Sequence, residues 1–404
     1  MSQLTPRFHV AFPRLFFTPP FHLSFPRFLF TPLFHASFPR LLFTPLVITA
    51  CSHKPPADFA PDPGLVAQVR DIRIVTTQGR ACPGATLQAS YEAVLTDGTR
   101  VPFARTYDKK HPPRLHVVFL ERSSPDALSQ QDGDWVTGAN PLATAVSGFR
   151  LTAVLKAKPM VRNTVVIPPD YSCLPHAFSF GGDAGGAAQA GSYGPEVVVR
   201  LAVLRSPFYD RLLVASIEVG QAPPFYMLAD ATEIPPSDWL VIESRGGRGG
   251  AGTPGPKGAD GADGGSGCPP QPGGPGGNGA NGGPGGSGGR GGRINVVVSS
   301  DEPFLAGIVE GQSSGGQGGT GGPGGAGGKG GKGGQGTVGS DNRRCSDAAD
   351  GPAGQKGSAG PAGPQGAPGP RAQIATLPTR DVFGARVPPE LAALLEAAAR
   401  AHRR

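Results

Sequence analysis

The chain lacks the apolar run of ~20 residues that a membrane-spanning helix needs, and it lacks the short signatures of the common catalysts. No His-Glu-x-x-His motif is present, and His111, His116 and His176 are scattered. Gly181–Gly194 reads as a Gly/Ala-rich loop with no Gly-Lys-Ser/Thr ending, so it is not a phosphate loop. Cysteine is sparse: Cys51, Cys82, Cys173, Cys268 and Cys345. None forms Cys-x-x-Cys, and no Cys/His grouping has zinc spacing. Gly285-Gly286-Ser287-Gly288-Gly289 matches a hydrolase elbow, but in a glycine repeat, with no strand before it or helix after it, the match is empty. The expectation is a protein that is not an enzyme and has no cofactor and no metal.

Acidic residues are missing from residues 1–50, where Arg7, Arg14, Arg27 and Arg40 supply +4 of the net +7. The remainder carries only +3, an ordinary surface, which excludes nucleic acid as the expected partner. What the chain has in excess is glycine (64) and proline (45), mainly between Gly246 and Arg371, where no conventional apolar core can form.

Residues 1–50 read as a leader. Residues 5–43 are three copies of a 13-residue unit with Phe-Pro-Arg in each, too rich in proline for a helix. Their end is more specific. Arg40 is a basic flank, Leu41–Ala50 a short apolar core, and Ile48-Thr49-Ala50-Cys51 follows. This resembles a bacterial lipobox, and the resemblance implies cleavage before Cys51 and lipid on its sulfur. A plain secretory signal with an incidental thiol is the other reading. Residues 51–64 would be a tether, and Ser52 after the cysteine, by analogy with Gram-negative lipoproteins, points to the outer membrane or cell surface.

Residues 65–244 carry strand signals. Leu87, Ala89, Tyr91, Ala93 and Leu95 alternate with polar residues, and Asp97-Gly98 turns the chain back to Val101. Further β-rich runs are Leu115–Leu120, Phe149–Leu155, Thr164–Ile167, Val197–Leu204, Leu212–Val219 and Trp239–Glu243. The expected fold is mainly β, an antiparallel sandwich of one or two modules. The hairpin from Cys82 to Gly98 faintly resembles bacterial immunoglobulin-like domains. Cys82 and Cys173 are expected to pair here; two buried free thiols are the alternative.

Residues 245–371 place glycine on every third position in four blocks: Gly246–Gly267, Gly273–Gly291, Gly315–Gly339 and Gly351–Gly369. Such spacing implies extended threefold helices rising ~3.1 Å per residue. The last block, GPAGQKGSAGPAGPQGAPGP, resembles bacterial collagen-like surface proteins. In the second and third blocks the periodic glycine is usually followed by another. Two bare faces let one strand pack on several neighbours, as in a polyglycine II bundle. With the blocks running up and down in turn, Cys268 and Cys345 fall at the same end and can pair. Residues 294–312 read as a β-hairpin insertion at the opposite end, and residues 372–404 hold an amphipathic helix over Pro388–Arg403. The alternatives are a collagen-like trimer and a disordered linker. In a threefold helix residues three apart share a face, so Arg290 and Arg293, Lys329 and Lys332, Asn278 and Asn281, and Asp260 and Asp263 form ladders for a partner, or else simply keep the surface soluble.

The functional expectation is an exported, lipid-anchored structural or adhesion protein with a glycine-rich rod, held on the membrane through Cys51. It would be a monomer, or a trimer if collagen-like, meeting an extracellular protein or polysaccharide. The alternative is a carbohydrate- or protein-binding module with the rod as spacer.

Overall fold

A computed structural model describes residues 55–235 and 237–401. The leader, Cys51 and the last three residues lie outside the described residues. The chain is mainly β, with 17 strands in several sheets and a short C-terminal helix.

The first module opens with α1 (Pro63–Gln68), whose start is capped by Asp62 Oδ1 receiving the Gly64 and Leu65 N–H groups. The expected tether therefore ends in a structured turn. Strands β1 (Val69–Thr76), β2 (Thr86–Leu87), β3 (Ala89–Leu95) and β4 (Arg100–Pro102) follow, then β5 (Leu120–Ser123), β6 (Ala127–Ser129), β7 (Trp135–Thr137), β8 (Phe149–Leu155) and β9 (Arg162–Ile167). They make three three-stranded antiparallel sheets around one core. The alternation read in the sequence decides which residues enter it: Ala89, Tyr91, Ala93 and Leu95 point inward. At its centre the Trp135 indole N–H donates to the Tyr91 hydroxyl at 2.8 Å, which donates to the Gly133 carbonyl, so both buried aromatic polar groups are satisfied.

The second module comprises β10 (Ala177–Gly181), β11 (Val197–Leu204), β12 (Leu212–Val219), β13 (Phe225–Asp230), β14 (Leu240–Arg245), β15 (Ile294–Ser299), β16 (Val309–Gln312), β17 (Gln373–Leu377) and α2 (Pro389–Ala401). One sheet has the order β10-β14-β16 and is entirely parallel. The other has the order β13-β12-β11-β15-β17; β11, β15 and β17 run parallel in it. A core lies between these sheets. A further core covers the outer face of the five-stranded sheet, where α2 contributes Leu391, Leu394 and Leu395. Strand β12 is buried on both faces and accordingly reads as a nearly continuous apolar run.

Three expectations are corrected. The antiparallel sandwich of one or two modules expected over 65–244 becomes two cores, the second built with strands from beyond residue 244 and containing parallel pairs. Residues 294–312 are not a hairpin: β15 and β16 enter opposite sheets, joined by a short 3-10 turn at Pro303–Ala306. The stretch 182–194 is not a loop, as its hydrogen bonds show below. The physical reason is common to all three. Every glycine run leaves from one sheet and returns into the other, so strands separated by a whole run become neighbours and lie parallel.

The glycine runs are joined to one another by backbone hydrogen bonds at every third residue. Residues 246–267 donate to 314–335 in increasing order, from Gly246 N–H to the Ser314 carbonyl at 2.9 Å through to Gly267 and Gln335 at 3.1 Å. That pair is parallel. Residues 273–291 likewise run parallel to 349–367. The pairs 274–292 with 244–262, 316–334 with 271–289, and 351–369 with 313–331 are antiparallel. The stretch 182–194 is a short version of the same arrangement. Gly182, Gly185 and Ala188 donate to Arg245, Arg248 and Ala251, while Gly191 and Gly194 donate to Ser287 and Arg290.

The result is three successive coils. In each, a strand of the parallel sheet (β10, β14, β16) continues into an outgoing glycine run, and the returning run feeds β11, β15 or β17. The sheets are held apart by apolar side chains, the usual ~10 Å. Beyond Ser244 those side chains cease, and the two layers bond directly through backbone groups.

Candidate functional site

Glycine usage follows the number of neighbours each run has. Runs 273–292 and 315–336 lie inside the bundle and carry paired glycines. At Gly276 and Gly328 alike, an added Cβ would overlap a backbone carbonyl of the adjoining run. Among the described residues run 351–369 bonds only to the two inner runs, and it keeps one glycine per triplet. Run 246–267 shows the rule within one segment. Gly247 and Gly250 donate to Ser192 and Gln189 of the short first coil, and there glycines are paired. Past the end of that coil the second position becomes Thr253, Pro256, Ala259 and Ala262. Run 273–292 behaves in the same way. An added Cβ on Gly286 or Gly289 would overlap the short coil, whereas Ala280 is accommodated and a Cβ on Gly274 would come no closer than 3.2 Å to its neighbours.

Backbone donors facing outward need other partners. The Asp260 and Asp263 carboxylates receive the Lys329 and Lys332 N–H groups at 2.8 and 2.7 Å. Asn278 and Asn281 Oδ1 receive those of Gln355 and Ser358 at 2.8 and 2.9 Å. Asp350 and Asp347 do the same for Gly333 and Gly336 near the tip. These acid and amide ladders are therefore occupied by the bundle's own backbone. Asp260 also pairs with Lys257 at 2.8 Å, and that hydrogen bond together with the Lys329 N–H holds its carboxyl below the usual range.

Of the cationic ladder, Arg290 donates Nε to the Pro368 carbonyl at 3.3 Å. Arg290, Arg293, Lys329 and Lys332 are all exposed. Lys329 and Lys332 stand beside Asp260 and Asp263, so their row is not a field of one sign.

At the tip Cys268 is bonded to Cys345, joining turns 77 residues apart in sequence. The second disulfide, Cys82–Cys173, fastens the first module to the segment leading into β10. Two disulfides fit an oxidising, exported environment. Among the described residues no helix is long and apolar enough to cross a membrane, and no group of His, Cys, Asp and Glu side chains could hold a metal ion.

Beside the Cys82–Cys173 bridge, where the modules meet, lies a cleft of about 520 Å³. The His176 ring stacks on Trp239 with centroids 5.4 Å apart and planes 10° from parallel. The Arg80 guanidinium sits over the Tyr209 ring at 4.7 Å, and Tyr209 stacks on Tyr171. Burial pushes the Tyr171 hydroxyl well above the ordinary phenol pKa and raises that of Tyr209, and both donate to backbone carbonyls. They are structural members of the wall. Sequence reading missed this cleft because its residues come from four separated segments, and only the fold brings them together.

No protein-family model matches the chain, and no curated protein or solved structure matches it either.

Proposed function

We propose that this protein is an exported, lipid-anchored surface component whose glycine bundle is a rigid polyglycine II rod with a structural or adhesive role. Cys51 is the lipid-bearing residue, a tether follows, the two β modules form a base, and the rod projects ~65 Å from it at ~3.1 Å per residue. The observation that carries this reading is the unbroken row of inter-run hydrogen bonds from the sheets to the stapled tip. A disordered spacer has no use for a lattice in which the glycine count matches the neighbour count. A collagen trimer is disfavoured because the runs satisfy one another within one chain.

The test is disulfide mapping together with cell adhesion. Non-reducing trypsin digestion of the protein from Ser52 onward should link the peptides Gly258–Arg290 and Cys345–Lys356 in a monomeric species. Deleting residues 255–282 and 324–360 together, which removes most of the rod and keeps β15 and β16 in the base, should abolish adhesion. Adhesion that survives this deletion, or bridges found only between chains, overturns the proposal.

A second reading, a binding module with the rod as spacer, is favoured by the cleft between the modules. Its occupant would be an extracellular polysaccharide or protein.

A further inference from the structure

The cleft has an unbalanced charge. Three carboxylates, Asp170, Asp230 and Glu233, line it with one guanidinium, Arg80, so with His176 neutral the sum is +1 − 3 = −2. None of the three forms a salt bridge among the described residues. Asp230 Oδ1 is taken by the Thr232 N–H and hydroxyl at 2.9 and 2.7 Å. Asp170 Oδ1 is taken by those of Ser172 at 3.0 and 2.8 Å. Among the described residues, the second oxygen of each and both oxygens of Glu233 receive no hydrogen bond. These local bonds hold the two aspartates in place, and the charge they fix is not neutralised. Arg80 is drawn aside over Tyr209.

The cleft also has an aromatic part. Trp239, half-buried, and the His176 ring stacked on it form a platform, and Leu174 and Ile234 complete an apolar floor. The rim is made rigid by Cys82–Cys173, immediately beside Leu174, so little ordering is needed on binding.

A negative cleft concentrates cations, and an indole adds attraction for an ammonium group. A flat aromatic platform bounded by hydrogen-bond acceptors suits a sugar ring. We infer that the cleft binds an oligosaccharide carrying free amino groups, of the glucosamine type, with the ammonium groups against Asp230 and Glu233 and a ring against the Trp239–His176 platform. This rests on the second reading above and not on the rod.

The test uses the protein from Ser52 onward and a glucosamine tetramer, followed by calorimetry and by tryptophan fluorescence. The chain has two tryptophans, and Trp135 is fully buried in the first core, so a ligand-induced change reports Trp239. Binding should weaken with added salt. Glu233→Gln, at an exposed residue, should raise Kd by about tenfold, and Asp230→Asn, which keeps the Oδ1 contacts to Thr232, should do likewise. The fully N-acetylated tetramer should bind at least about tenfold more weakly. Equal binding of the acetylated tetramer removes the ammonium assignment. No binding of the glucosamine tetramer at low salt, or binding of a lysine-rich peptide in its place, overturns the sugar assignment. Either failure leaves the adhesion test of the rod untouched.

Discussion

Replacing Gly328 by alanine perturbs the centre of the lattice. Its Cβ would overlap the Ala259 carbonyl oxygen and lie 2.5 Å from the carbonyl carbon. Both atoms are backbone, so no side chain can swing away and the runs must part. The bonds at stake are Gly328 N–H to Gly277 (2.8 Å), Gly258 N–H to Ala326 (2.9 Å) and Gly354 N–H to the Gly328 carbonyl (2.9 Å). At ~1 kcal/mol net for each, their loss costs ~3 kcal/mol, with overpacking strain in addition. Gly265→Ala is the matched control. Its Cβ meets only the Gln271 side chain, at 3.5 Å, and the residue is not in the left-handed region. There the lower entropy of the unfolded chain should stabilise by ~0.4–1 kcal/mol. Native-state hydrogen exchange read by mass spectrometry separates the two, because local opening energies are measured peptide by peptide. Amides of residues 321–335 should exchange ~100-fold faster in Gly328→Ala, as ~3 kcal/mol implies, and no faster in Gly265→Ala. Equal effects at the two sites would falsify the lattice argument.

Removing the tip staple with Cys268→Ser and Cys345→Ser frees a loop of 77-residue separation, worth ~4 kcal/mol in the chain-entropy model. Exchange should accelerate first at Gly264 and Gly334 beside the tip and least at Gly246; a uniform change along the rod would contradict this. Changing Asn278 and Asn281 to alanine strips the acceptors from the Gln355 and Ser358 amides, and these amides should lose protection by about 0.5–1.5 kcal/mol each while Gly354 and Gly357 keep theirs. Burial holds the His116 imidazole below its ordinary pKa of 6.5, so below that pH the unfolded chain binds the proton first. Stability is then fully present above pH 6.5 and declines as pH falls from there towards the folded-state value. Denaturant titrations of the first module's fluorescence at pH 7 and pH 5 should show this slope in the native chain and a shallower one in His116→Gln; identical slopes would exclude His116 as its source.

Much of this architecture is legible in residues whose constraint is local. The alternation in Ala89–Leu95 and Phe149–Leu155 fixes which side chains enter the first core, and Leu391, Leu394 and Leu395 mark the face by which α2 packs. The run lengths place Cys268 and Cys345 at one end. Strand pairing was not legible, because alternation specifies a face and says nothing of a partner. Val296 and Val298 look alike whether β15 bonds to β16 or, as here, to β11 and β17. The first coil was missed for a related reason: glycine does fall at 182, 185, 191 and 194, but Ala188 interrupts it and so few triplets do not stand out as a repeat. The cleft was invisible because Arg80, His176, Glu233 and Trp239 share no spacing.

The same hydrogen-bond geometry also explains why the fourth block alone looks like collagen. A strand at the margin of such a lattice must present no row of free donors, or it would invite another chain. Along the face of run 351–369 beside Asn278 and Asn281, the second triplet positions include Pro352, Pro361, Pro364 and Pro370, which have no N–H. Between them stand Gln355 and Ser358, whose N–H groups are held by those two asparagines. Proline and the two asparagines leave Ala367 as the one N–H of this row without a partner among the described residues, and no partner chain is needed to account for the prolines. An inner run placed at this margin would expose paired glycines with open donors, and a Pro-rich run placed inside would press side chains into carbonyls on either side. The order of the blocks in the sequence, paired glycine within and proline last, is therefore the order in which the coils must be stacked.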